Sequence, residues 1–203
     1  MQSTLKNSKN IVSKILSNGG IAILPTDTIY SLSCITSNTN SLKKILKIKG
    51  RDAAQGIPIL FPSIDYFNIY AQNINNKIET IIKTFMPGPL TLILNKKPDV
   101  SNLISGPNNT IALRIPDNSD LIDIMNKIKS GITGTSANLS GKTHSLDSYE
   151  IIKDLGTKVD IFVFGNYKVE NKNPSTILDV TSDKIKIIRE GAVKKEDIYK
   201  INF

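Results

Sequence analysis

The chain has 203 residues, 39% of them hydrophobic and 22% charged, a balance that suits a folded protein with a sizeable core and excludes a disordered one. No run approaches the roughly 18 consecutive apolar residues of a membrane span, and the opening MQSTLKNSKNIVSKILSNGG lacks the continuous apolar stretch of a secretory signal. One cysteine, Cys34, and one histidine, His144, exclude an internal disulfide and leave too few soft ligands for a structural zinc. Cys34 reads as a small buried hydrophobe, and the whole of 1–203 as one cytoplasmic domain.

The net charge of +8 is carried unequally: 23 Lys against 3 Arg, and an excess of +7 in residues 1–100 against +1 in 101–203. A solvated lysine-rich surface accounts for the bulk of it, while a basic excess also suits an anionic partner such as nucleotide, nucleic acid or a membrane surface. Where Lys is the default cation, a retained Arg points to a planar, bidentate role. The three are Arg51, Arg114 and Arg189.

In chain order, apolar residues at helical spacing predict a helix over 5–17 that ends at Asn18-Gly19-Gly20. IAIL (21–24) is a short buried strand broken by Pro25. The following LPTDTIYSLS (24–33) carries two threonines, an aspartate and a tyrosine just beyond that strand, where open α/β sheets bind ligands. Pro25-Thr26-Asp27-Thr28 is also good turn chemistry, and both readings stand.

A second helix is expected over 41–49, in LKKILKIKGR (42–51). Leu42, Ile45 and Leu46 form the inward stripe and Lys49 continues it, with Arg51 just past Gly50. These two cations could neutralise a polyphosphate, or Lys49 could snorkel from the helix end to water. IPILF (57–61) reads as a strand, 63–70 and 74–85 as helical, MPGP (86–89) as a loop, TLIL (91–94) and TIALRI (110–115) as strands, and 118–128 as a helix. The loop TGTSANLSG (133–141), after a buried Ile132, can offer backbone N–H groups and side-chain donors to an anion. A helix over 147–154, strands at 160–164, 176–180 and 184–188, and a short C-terminal helix follow. Strands that alternate with helices early and cluster late predict an α/β fold on a mixed, twisted sheet.

Neither a P-loop nor a G-x-G-x-x-G is present, no G-x-S-x-G surrounds a serine, and His144 reads as a loop residue near a site rather than a general base. With no Asp/Glu cluster of two-metal spacing, a metal would ride with a substrate such as Mg-ATP. Chemistry by positioning and charge neutralisation, without covalent catalysis, fits best.

Seven segments, LPTDTIYSLS, IKGR, MPGPLTLIL, ALRIP, TSANLSG, NPSTILDV and IIREG, resemble in order and spacing the YrdC-type threonylcarbamoyl-AMP synthases, in the form with only the catalytic domain. The resemblance implies a YrdC/RibB-like mixed, twisted, open sheet with flanking helices around a deep positively charged cavity. It implies condensation of L-threonine, bicarbonate and ATP, with Mg2+ on the ATP, to threonylcarbamoyl-AMP and pyrophosphate. The product would feed tRNA threonylcarbamoyladenosine formation through downstream tRNA-threonylcarbamoyl transferase proteins. The family's catalytic pairs fall on Lys49, Arg51, Ser136 and Asn138; its threonine contacts on Thr28, Arg114, Gly134 (through its backbone) and Ser175; its nucleotide contacts on Arg51, Gln55, Thr110, Ser136, His144 and Arg189.

Three departures stand out. The family usually reads Tyr-Gly-Leu-Gly where this chain has Tyr30-Ser31-Leu32-Ser33, so strain is expected there if the glycines need a positive φ. Asp52 replaces a proline after Arg51, and Gln55 replaces a common Lys or Asn. Nucleotide affinity rather than reaction type is expected to differ. The rival reading is a double-stranded RNA or tRNA-binding module without adenylate chemistry, with a possible tRNA contact on the basic half. Its weakness is the 6% aromatic content, with no Trp and no RNP-like run. A hydrogenase-maturation type carbamoyl-transfer domain shares the expected fold, but the zinc-finger and acylphosphatase segments that accompany it are not found.

Overall fold

The structure, a computed structural model, describes residues 4–50, 56–139, 141–142, 144–164 and 173–201. Arg51, Asp52 and Gln55 lie outside the described residues. The chain runs through α1 (Leu5–Ser17), β1 (Ala22–Leu24), β2 (Ser31–Ser33), α2 (Thr39–Lys49) and β3 (Ile59–Leu60). It continues through α3 (Phe67–Tyr70), β4 (Ala71–Gln72), α4 (Asn76–Phe85), β5 (Leu90–Lys96), β6 (Thr110–Arg114) and α5 (Ser119–Ile128). The last part holds β7 (Ile132–Thr133), β8 (Thr135–Ser136), α6 (Ser148–Leu155), β9 (Ile161–Phe162), β10 (Thr176–Asp179), β11 (Lys186–Arg189) and α7 (Lys195–Tyr199).

The fold is mixed α/β as expected, but among the described residues the strands divide between two sheets. One has the order β8-β2-β1-β9; the other has the order β11-β10-β5-β6-β3-β7, with β4 beside β5. Both sheets mix parallel and antiparallel pairs: β1 with β9, β3 with β6 and β5 with β10 are parallel. β1 is apolar throughout because both of its faces are covered. Ala22 and Leu24 pack with Leu5, Val12 and Leu16 of α1 and Leu121, Ile124 and Met125 of α5, while Ile23 faces the larger core with Leu32, Leu42 and Ile45.

Two local readings are corrected. The small-residue stretch after Ile132 is partly strand: β7 and β8 occupy Ile132–Thr133 and Thr135–Ser136 within the expected loop. In LPTDTIYSLS the expected turn over 25–28 is present and leads into a strand missing from the expected elements, since Ser31–Ser33 pairs antiparallel with β1. In that strand neither Ser31 nor Ser33 has a positive φ, so the serines carry none of the strain expected of them.

Candidate active site

The two sheets face each other across a cavity of about 320 Å3. The first sheet contributes Ser31, Thr135 and Ser136, joined by Thr26 and Thr28 of the β1–β2 turn. The second contributes Leu60, Thr91, Ile93, Thr110, Ala112, Arg114, Ile177, Ile188 and Arg189, and loop residues such as Gly56, Gly134 and Ser175 close the remainder. Of the twelve residues singled out from the sequence, seven line this space: Thr28, Thr110, Arg114, Gly134, Ser136, Ser175 and Arg189. Lys49 and Asn138 stand behind Ser136 instead of on the wall, and His144 lies half-buried in a loop away from it. Arg51 and Gln55 are outside the described residues.

Lys49 owes its place to α2. Leu42, Ile45 and Lys49 are buried while Lys43, Lys44 and Lys47 are exposed, so the inward stripe holds and the lysine does not snorkel. Gly50, at φ 59, then ends the helix in the left-handed region that a residue without Cβ enters at little cost. Only 2% exposed, Lys49 donates from Nζ to the Ser136 carbonyl at 2.7 Å, the Asn138 carbonyl at 2.6 Å and Asn138 Oδ1 at 2.8 Å. A buried ammonium is thus satisfied by carbonyl oxygens, which hold the turn after β8 against the end of α2. Ser136 Oγ donates to Asn138 Oδ1, and Asn138 Nδ2 donates to the Lys142 carbonyl. Just before this turn the backbone of Gly134 donates to the Pro58 carbonyl at 2.7 Å, and a Cβ there would stand 2.7 Å from Leu60 Cγ. A residue without Cβ lets the chain between β7 and β8 lie this close to Leu60 of β3.

Arg114, at the end of β6, points its guanidinium at the β1–β2 turn. Nε donates to the Gly88 carbonyl at 2.9 Å, Nη1 to Thr28 Oγ1 at 3.0 Å and Nη2 to Asp27 Oδ2 at 2.6 Å. A guanidinium carries five N–H donors, and these acceptors among the described residues take up three, one on each nitrogen. Thr26 fixes the turn: its Oγ1 accepts from the backbone of Thr28 and Ile29. Arg189, on the sheet-edge strand β11, donates from Nη2 to the Ser175 carbonyl at 2.7 Å, and Ser175 Oγ lies 2.8 Å from Thr91 Oγ1. Burial lowers the Arg114 pKa and Asp27 pushes it back up; burial and then the Arg114 charge lower that of Arg189. An anion between the two guanidiniums would relieve their repulsion. Cys34 takes no part, because burial pushes its thiol up to about 12.

Sequence reasoning missed Thr26, Ser31 and Thr91 on the wall and Asp27 as the partner of Arg114. Alternation along TLIL and the hydroxyls of LPTDTIYSLS carried a trace of the first three. The Asp27–Arg114 pair joins segments 87 residues apart, and nothing local to either signals it.

A mixed α/β fold with two arginines and a ring of hydroxyls on a cavity between its sheets defines a class: a protein that binds a small polyanionic or carboxylate ligand by positioning and charge. The Sua5_yciO_yrdC family model, described as telomere recombination, matches residues 14–191, and the chain belongs to that family. It is 35% identical over 188 residues, 93% of this chain and 87% of the other, to a Methanocaldococcus jannaschii protein provisionally named threonylcarbamoyl-AMP synthase. It is 29% identical over 174 residues, 84% of this chain and 98% of the other, to a Buchnera aphidicola protein named threonylcarbamoyl-AMP synthase. Among solved structures it is similar to Pyrococcus abyssi Sua5 complexed with L-threonine, with a TM-score of 0.90 and 28% identity. That match covers 96% of this chain but 57% of the longer Sua5 chain.

Proposed function

We propose that the chain is a threonylcarbamoyl-AMP synthase that condenses L-threonine, bicarbonate and ATP into threonylcarbamoyl-AMP and pyrophosphate. The observation that carries this reading is the presence, on one cavity wall, of Arg114, held by Thr28 and Asp27, and of Ser136, held from behind by Lys49 and Asn138. The names of the relatives and the threonine in the Sua5 complex support it.

The threonine amine captures carbon dioxide derived from bicarbonate, forms an N–C bond and gives up a proton to leave a carbamate. A carbamate oxygen then forms a bond to the α-phosphorus of ATP; the bond from that phosphorus to the bridging oxygen breaks, and its electron pair leaves with pyrophosphate. No side chain becomes a nucleophile. Arg114 holds the threonine carboxylate, a contact worth roughly 1.5–3 kcal/mol, with Thr28, the Gly134 backbone and Ser175 around the amino acid. Arg51 and Ser136 meet the phosphates and the charge that builds on them, with Lys49 and Asn138 behind Ser136 holding it in place and keeping the ammonium charge near by. Gln55, Thr110, His144 and Arg189 complete the nucleotide side of what this reading makes a positively charged cavity. Mg2+ enters this scheme with ATP, as part of the substrate. The product serves tRNA modification in the cytoplasm, handed to a tRNA-threonylcarbamoyl transferase. Among the described residues no helix is long and apolar enough to cross a membrane.

An RNA-binding module is the weaker reading, since a walled cavity of about 320 Å3 has the dimensions of a small-molecule site. Mass spectrometry of the purified protein with ATP, L-threonine, bicarbonate and Mg2+ tests the proposal. Threonylcarbamoyl-AMP accumulates if it holds. RNA binding with a steep salt dependence and no ATP consumption would replace it.

A further inference from the structure

β2 carries hydroxyls at two positions of its three, Ser31 and Ser33. Ser31 lines the cavity; Ser33, fully buried, stands behind it with its Oγ 2.8 Å from Ser31 Oγ. In register, Ser31 sits opposite Leu24 on β1 and Ser136 on β8, so these cross-strand neighbours share a face. Three residues before it, Thr28 holds Arg114, and its neighbour Ser136 meets Lys49. Ser31 thus lines the wall beside Ser136, on the strand that follows the turn carrying Thr28.

The hydrogen bonds leave that hydroxyl underused. A serine donates once and accepts up to twice. Among the described residues Ser33 Oγ has Ser31 Oγ as its partner and either can donate, but only with Ser33 as the donor do both hydroxyls donate within the chain. The Ser31 proton is left with the Leu24 carbonyl at 3.3 Å, well beyond the usual ~2.7–2.8 Å of a hydroxyl donor. A donor already accepting one short bond, weakly spent and set on a cavity wall, is well placed for a ligand oxygen.

We infer that Ser31 is a further substrate-contacting residue, whose hydroxyl donates to a carboxylate or carbamate oxygen of the amino-acid-derived substrate where it meets the α-phosphate. This rests on the function proposed above. Ser33 is a positioning residue that presents the Ser31 donor.

Ser31→Ala alone would leave the Ser33 hydroxyl unpaired in the core, so the informative variant is the double Ser31→Ala/Ser33→Ala, which removes both partners at little folding cost. Steady-state pyrophosphate release is measured with threonine and ATP varied in turn, alongside melting and calorimetric threonine binding. The double variant is expected to melt near wild type, to lose at least ~10-fold in kcat/KM for threonine and to keep its KM for ATP. Ser33→Ala, which retains the Ser31 hydroxyl, should fall between the double variant and wild type. Wild-type kcat/KM for threonine in the double variant would overturn the inference. So would equal losses toward both substrates with a lowered melting temperature, the pattern of a purely structural role. Failure of the functional reading shows elsewhere, in a wild-type protein that neither binds threonine nor makes the adenylate, and the assignment of Ser31 falls with it.

Discussion

Asp27 and Arg114 form a buried ion pair, with Nη2 2.6 Å from Oδ2 and side chains 6% and 12% exposed for Arg114 and Asp27. The other carboxylate oxygen, Asp27 Oδ1, is buried without a hydrogen-bond partner among the described residues. The cation best placed for a substrate carboxylate is thus itself held by a carboxylate on the turn after β1. Burial disfavours the Arg114 charge and Asp27 offsets that cost, so the pair keeps a charged guanidinium in a dry place.

Breaking such a pair from one side leaves an uncompensated charge, at a cost of about 3–5 kcal/mol. Asp27→Ala should therefore lower stability by that order in urea unfolding. In the variant the threonine carboxylate becomes the nearest counter-ion of Arg114, so added threonine should raise its melting temperature more than that of wild type. An unchanged unfolding midpoint would show that the pair adds little.

Arg114→Lys preserves the charge and loses the fork. A single ammonium cannot serve Gly88, Thr28 and Asp27 together and still present two parallel donors. The KM for threonine should rise about 10- to 100-fold, with that for ATP nearly constant. Equal effects on both substrates would remove Arg114 from the amino-acid side.

Lys49→Met keeps the apolar stem and removes the ammonium that gathers the Ser136 and Asn138 oxygens. Pyrophosphate release should fall by at least ~100-fold, as when a charge-stabilising donor is lost, while calorimetric threonine binding stays close to wild type. Arg51→Ala, argued from the sequence alone, should fall in the same range. Normal turnover by Lys49→Met would separate the lysine from the chemistry.

How far the sequence showed all this depends on the range of the interaction concerned. Lys49 was legible because helical periodicity is local: an inward stripe of Leu42 and Ile45 leaves one direction for a lysine seven positions after Leu42. The strands TLIL and TIALRI were legible from apolar runs whose Leu92, Leu94, Ile111 and Leu113 are buried in the core. β2 was not, since Ser-Leu-Ser over three residues looks like the polar turn that precedes it, and only pairing with β1 and β8 makes it a strand. The division into two sheets, which creates the cavity, depends on long-range register and leaves no local mark. The same holds for Thr91 beside Ser175, 84 residues apart.

Cys34 offers a test of the core that is independent of activity. It is fully buried, its backbone N–H donates to Thr133 Oγ1 at 3.0 Å, and burial raises its thiol from 9.0 to about 12, a shift that the Thr133 hydroxyl partly offsets. Below pH 9 the thiol is protonated in both the folded and the unfolded chain, so its contribution is fully present. Between 9.0 and about 12 the unfolded chain releases the proton and the folded chain keeps it, so stability drains away as pH rises, by about 1.4 kcal/mol per pH unit at most. Urea unfolding of wild type should therefore weaken more steeply from pH 9 to 10.5 than that of Cys34→Ala, whose cavity cost does not vary with pH. Alkylation at pH 8 should proceed only as fast as the protein unfolds. Parallel pH slopes for the two proteins, or rapid alkylation of the folded chain, would mean that the thiol is reached by solvent and that the core between β2 and β7 is looser than its packing implies.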